Sequence, residues 1–590
     1  MRTNVAVPGS HRRARGRWLL AAPLGLLALL PLAALAQPEA GVEYRSFFGF
    51  DSRTAVWVTA QLHLMFGAFV LGVPIFALIT EYIGHQTGDQ RYDRLAHEFT
   101  KLLSAAFATT ASLGGLFAFL LFGLYPRFMN FMGDAFHGST YIYALLFFGE
   151  VFFLYLYYYS WERMQGGRKK WLHMGVGLAL NLTGIVIMAI ANSWVTYMMS
   201  PTGIEPETNR FVGSAWGAIA NPLWMPLNVH RLIANVAFGG FVVGAYAAVR
   251  FLGSSSEEER AHYDWMGYVG NFIGMGALIP LPFAGYWLGR EIYSLSPVMG
   301  NNMMGGAFSW TFIIQAMLIG MLFIGANFYL WNGMGRIPGA DRYQGFIKWI
   351  NLSLILCFAV WLTPHNLPLS SAEQVLMGGQ YHRVLKYLGL MPAKNAAVNF
   401  IILSTFLSFL LYRRGNKGER LPFAAHGLRG RLVVGGAGAV SILLLLWFAR
   451  VLFTLDPHEM DLLPDRRVYF LIPAYLLFAQ AAVAAICVWM TYRDGGVVAQ
   501  FIYLGTAVFF VTFFLGVYGF VVLEKANPFL REIAVVQVLI VLTALIFVTA
   551  VDVYVFRGAK EVGGIQWGKV PIRAQYTLIL LCVSVVLLMG

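Results

Sequence analysis

The chain has 590 residues, 58% of them hydrophobic and only 12% charged, with a mean hydropathy of +0.63 and a formal net charge of +13. A soluble protein of this length could not hide so much apolar surface, so an all-α polytopic membrane protein is expected. Continuous apolar runs in place of period-two alternation exclude an outward-facing β-barrel. The positive excess sits in short loops and signals membrane orientation, not nucleic-acid binding.

In chain order, the basic stretch His11–Arg17 precedes an apolar run from Trp18 to Leu35, and Ala34-Leu35-Ala36 fits a small-x-small cleavage site. Residues 1–36 therefore read as a signal peptide or an uncleaved first helix. Either reading leaves Gln37 outside the cytoplasm of a bacterial inner membrane. About 14 transmembrane helices are expected after it: 54–84, 97–125, 138–162, 171–200, 226–252, 264–288, 307–331, 345–364, 393–413, 430–453, 467–492, 500–522, 529–556 and 572–589. Basic loops around Arg168-Lys169-Lys170, Arg413-Arg414 and Arg557 to Arg573 then face inward. The acidic loop Asp456 to Asp465 faces outward, which agrees with this orientation. The expected organisation is a nine-span block over 54–413 and a five-span block over 430–589, the latter without a recognisable role.

Of the twelve histidines, only His63, His230 and His365 are read as falling within or against long apolar segments, all toward the outer side. Imidazole at that depth is costly unless it binds something, and neutral imidazole is an axial ligand for haem iron. For any one of them the alternative is a hydrogen-bonded packing residue. The three cysteines form no CxxC or CxxCH motif, so covalent haem attachment is excluded. Glu150 lies about twelve residues inside an apolar, aromatic span, where a buried carboxyl suits proton relay or a structural hydrogen bond.

Gln61-Leu62-His63-Leu64-Met65-Phe66-Gly67, Gly149-Glu150, Trp161-Glu162-Arg163, Ala191-Asn192-Ser193-Trp194 and Asn221-Pro222 with His230 follow one another in an order that resembles subunit I of cytochrome bd oxidases from about residue 54 to 252. The resemblance implies that His63 ligates a high-spin haem and His230 the low-spin b haem, and that Glu150 lies on the proton path. Arg231 becomes a partner for a haem propionate or a snorkelling cation, and Trp194 a further haem-pocket residue. It implies two or three non-covalent b haems and leaves a d-type chlorin open. Lipid, a second membrane subunit and oxygen are the expected partners, with a periplasmic cytochrome c or a quinol as donor.

The departures are specific. Ile142 stands where the family has its second buried acid, and the Gly-Arg-Gln-Pro-Trp signature is absent. His365 falls where the family has a ligating glutamate. Gln315 matches the family's methionine ligand, but thioether sulfur binds iron better, which favours Met317 two residues on; a core methionine is the alternative. The short 289–306 loop weakens an ordinary quinol site, although Arg290 and Glu291 could serve a rearranged one. Two alternatives stay open. One is a divergent homologue that relays electrons or reduces another small oxidant. The other is a haem-free transport or structural subunit.

Overall fold

The computed structural model describes residues 46–364, 391–415, scattered positions between 428 and 446, and 564–589. The signal-like segment, His365, the acidic outer loop and the spans 467–492, 500–522 and 529–556 lie outside the described residues, as does most of 430–453. The chain divides into two units between Ala55 and Val56, and of the first only residues 46–55 are described. In the first, a tight turn joins Phe47 and Phe50, and the Thr54 hydroxyl and amide donate to Asp51, holding its carboxyl below the usual range.

Eleven long helices carry the fold: α1 Ser52–Thr87, α2 Gln90–Leu124, α3 Pro126–Ser160, α4 Gly167–Met199, α5 Trp224–Gly253, α6 Glu257–Leu278, α7 Leu281–Leu295, α8 Ser309–Met334, α9 Asp341–Trp361, α10 Met391–Gly415 and α11 Ile572–Met589. A two-residue hairpin pairs Ile204 with Phe211 and Glu205 with Arg210. Among the described residues, nine helices are long and apolar enough to cross a membrane, with α6 and α7 counted as one. The nine expected spans of the first block all appear as helix, but α10, with Lys394, Arg413 and Arg414, is not among those nine. The count of fourteen is not confirmed.

Helix boundaries differ from hydropathy for physical reasons. α2 starts at Gln90, seven residues before the apolar run, because Asp89 accepts from the Arg91 amide and caps a charged first turn. α3 starts at Pro126, and the backbone bends at Phe136, close to where the apolar run begins. Pro74 sits inside α1, where it lacks the amide of a regular helical turn.

Glycines bring three helices together. A Cβ at Gly72 of α1 would strike the Asn235 carbonyl of α5, and one at Gly239 would sit 2.9 Å from the Gly72 carbonyl. On the next face of α5, Gly240 and Gly244 meet Gly270 and Gly274 of α6, with a Gly240 Cβ only 2.7 Å from the Gly270 carbonyl. Two small-xxx-small pairs thus let the backbones touch. α11 packs on both α5 and α8: Leu578 covers Gly244 and Gly267, and Leu581 covers Gly325. The last span, read with the second block, therefore packs inside the first.

Candidate functional site

The contact of Gly72 with Asn235 sets α1 and α5 in register. His63 lies nine residues before Gly72, and His230 five before Asn235, so both stand toward the same end, about 14 Å and 8 Å back along their helices. His63 Nδ1 is 3.1 Å from the Thr110 carbonyl of α2. A carbonyl only accepts, so Nδ1 carries the hydrogen and Nε2 presents its lone pair, the tautomer a metal needs. Gly114 leaves room for the ring, since a Cβ there would come 2.8 Å from His63 Cε1, and Phe117 stacks at 6.3 Å.

His230 makes no hydrogen bond among the described residues, and Gly285 of α7 lies beside its Nε2. Its neighbour Arg231 is part-buried. Nη1 donates to Asn192 Oδ1 at 2.7 Å, and Asn192 donates to Asn228 at 2.7 Å. A part-buried guanidinium whose one hydrogen-bond partner among the described residues is a neutral amide can still take a carboxylate. One imidazole with a fixed tautomer, a second without a protein partner and an uncompensated cation fit a haem with its propionates. Among the described residues no group of three or more His, Cys, Asp or Glu side chains gathers to hold a bare metal ion.

Glu150 is buried on α3, against Gly184 of α4 and a small cavity lined also by Leu71, Pro74, Asn181 and Asn235. It makes no hydrogen bond among the described residues. Asn181 Oδ1 faces burial without a partner, while its Nδ2 donates to the Pro74 carbonyl at 3.2 Å. The cavity has room for about one water molecule. Ile142 is 55% exposed, so no second acid accompanies Glu150 from that position.

Three expected residues have no described contact with His230. Met317 is 49% exposed on α8, Gln315 is exposed too, and no described contact joins either to His230. Trp194 packs on Phe136 at 5.5 Å in an aromatic cluster with Tyr197. Arg290 and Glu291 pair with each other.

The reading that only three histidines lie in apolar spans needs correction, because His173 of α4 is fully buried. It contacts Glu81 of α1 at 2.6 Å through Nδ1 and the Tyr157 carbonyl of α3 at 2.9 Å through Nε2. Tyr157 donates to Glu81 at 2.5 Å, and Lys170 reaches Glu81 at 2.8 Å and Asp93 at 2.9 Å. The signal was available: Glu81 falls inside the expected 54–84 span, and a carboxyl in a membrane span demands a partner.

Residues 52–307 match the family described as cytochrome bd terminal oxidase subunit I. The chain is 23% identical over 209 residues to the "putative cytochrome bd menaquinol oxidase subunit I" of Bacillus subtilis (strain 168), covering 35% of this chain and 46% of that protein. It is 27% identical over 201 residues to the "cytochrome bd-II ubiquinol oxidase subunit 1" of Escherichia coli (strain K12), covering 33% and 38%. The solved bd oxidase from Geobacillus thermodenitrificans aligns with 14% identity and a TM-score of 0.40 over 75% of this chain and 98% of that one. The chain spans less than half the length of the curated relatives it matches.

Proposed function

We propose that the chain, whose residues 52–307 match the cytochrome bd terminal oxidase subunit I family, is the haem-bearing subunit of a bd-type membrane oxidase. It reduces oxygen to water with electrons from a quinol or a cytochrome c. The observation that carries this reading is the His63 tautomer, fixed by the Thr110 carbonyl so that Nε2 is free for iron. His230 is the ligand for a second haem, and Arg231 holds a propionate. His365 is proposed for the third haem site. Met317 remains the proposed second ligand of the low-spin haem, with Gln315 as its competitor.

When bound, the haems supply the iron that accepts electrons and reduces oxygen. The protein's own residues orient and protonate. The Thr110 carbonyl holds the His63 ring, Asn192 holds Arg231, and Glu150 carries a proton beside a small cavity lined by Leu71, Ile185 and Met188 together with Asn181 and Asn235. With Ile142 exposed, Glu150 carries the load that two acids share in the family.

The test is a visible spectrum and a pyridine haemochrome assay of the purified chain, followed by oxygen uptake with quinol and with reduced cytochrome c. A preparation without haem would end the reading.

A further inference from the structure

The cluster at the far end of the bundle holds a proton that geometry alone can locate. His173 Nε2 faces the Tyr157 carbonyl at 2.9 Å, and because that oxygen only accepts, Nε2 carries a hydrogen. Nδ1 lies 2.6 Å from Glu81 Oε1. At that separation a bare nitrogen and a carboxylate would oppose two lone pairs, so one hydrogen sits between them. Whether it is written as imidazolium with carboxylate or imidazole with carboxylic acid, the pair holds the same proton.

Charge agrees with this count. The groups facing the pair are Tyr157 of α3, Asp93 of α2 and Lys170 of α4, with Gln165 3.2 Å from Lys170. His97 and Lys101 of α2 and Glu162 stand farther out, with His97 stacked on Trp161 at 5.0 Å. Counting buried Glu81 together with the partly exposed Asp93, Lys170 offsets one of the two carboxylates. The shared proton offsets the other, and without it the cluster would carry a net negative charge spread over buried Glu81 and partly open Asp93.

The position gives the proton a destination. Glu81 lies eighteen residues beyond His63 on α1, about 27 Å along the axis. Glu150 packs beside Leu71 and Pro74, between the two, and is seven residues, about 10 Å, from Tyr157 on α3. Asn181, with its free Oδ1 and water-sized cavity, lies on the same side of α4 as His173 and Glu150's neighbour Gly184. Asp93 is partly open to the surroundings.

We propose that Glu81 and His173 are a proton-holding pair that draws protons from the aqueous face beside Asp93 and Lys170 and passes them toward Glu150. The step moves one proton: it leaves the pair, adds to the Glu150 carboxylate and is replaced from water at the Asp93 rim, with no electron transferred. The second half rests on the reading of Glu150 as a relay carboxyl.

The test uses the whole chain in lipid nanodiscs. Infrared H/D difference spectra and 15N-histidine resonances should show one proton shared by Glu81 and His173 throughout roughly pH 5 to 8. Neutral His173 beside ionised Glu81 at neutral pH would overturn the pair, and this arm needs no variant and no turnover. In the second arm, Glu81→Gln and His173→Gln should keep their haem spectra but slow proton uptake on reduction at least 10-fold, as should Glu150→Gln, while Glu81→Asp recovers part of the rate. Slow uptake in Glu150→Gln with normal uptake in the pair variants would overturn the proposal and leave the relay reading intact. Normal uptake in Glu150→Gln would overturn the relay reading and the passage to Glu150, with the infrared result still deciding the pair.

Discussion

A carbonyl oxygen that can only accept fixes the tautomer of His63, since Thr110 takes the Nδ1 hydrogen and leaves the Nε2 lone pair for the iron proposed there. His63→Ala is therefore expected to lose one high-spin haem while the low-spin signal from the His230 site persists. His230→Ala should do the reverse. Haem content and reduced-minus-oxidised spectra separate the two, and unchanged haem in both variants would sink the assignment. Glu150→Gln keeps the shape of the side chain but cannot exchange a proton, so turnover should fall by about 100-fold with haem retained. Full oxygen consumption across pH would contradict that role. At this scale the sequence singled out His63, His230 and Glu150 as candidates through motifs. It was silent where the role depends on a partner from another helix. Nothing local to Arg231 says that Asn192 meets it, and nothing local to His173 names Glu81, ninety-two residues earlier.

At the scale of helices, hydropathy located the first eight spans because a membrane helix must be apolar over its length. It missed the charged start of α2 and the lead-in of α3, since helix boundaries follow backbone hydrogen bonds and caps, not apolarity. It also could not say which faces meet. Those contacts depend on small residues: Gly72 with Gly239, and Gly240 with Gly270 and Gly274. A Cβ at Gly240 would meet backbone atoms of α6, which cannot swing aside as a side chain can. Gly240→Ala is expected to cost about 1–3 kcal/mol by overpacking. Gly276→Ala, where a Cβ meets nothing within 4 Å, should be nearly neutral. Unfolding in mixed detergent micelles reads both, and equal shifts for the two would show that the close crossing does not limit stability.

Across the whole molecule, the last helix is tied to the first block by a buried polar clamp. Asp264 of α6 and Arg336, just beyond α8, form an ion pair at 2.8 Å whose charges meet without a well-aligned hydrogen bond. The Gly568 amide donates to Asp264 at 2.9 Å, and the Gln566 amide donates to the Arg336 carbonyl at 3.0 Å. The Trp567 ring lies 5.4 Å from the guanidinium, and Tyr412 of α10 is 3.2 Å from it. Four segments far apart in sequence thus share one buried charge pair, and the approach to α11 is pinned where Leu578 and Leu581 can reach the glycines of α5, α6 and α8. Removing one partner leaves a bare buried charge, so Arg336→Met alone should destabilise by about 3–5 kcal/mol. Removing both charges, as in Asp264→Leu with Arg336→Met, should recover much of that loss, because apolar packing replaces a pair that was costly to desolvate. The double variant should keep residues 564–572 resistant to protease, whereas the single variant exposes them. If the two substitutions simply add, the pair is not coupled, and α11 is held by its leucine contacts alone.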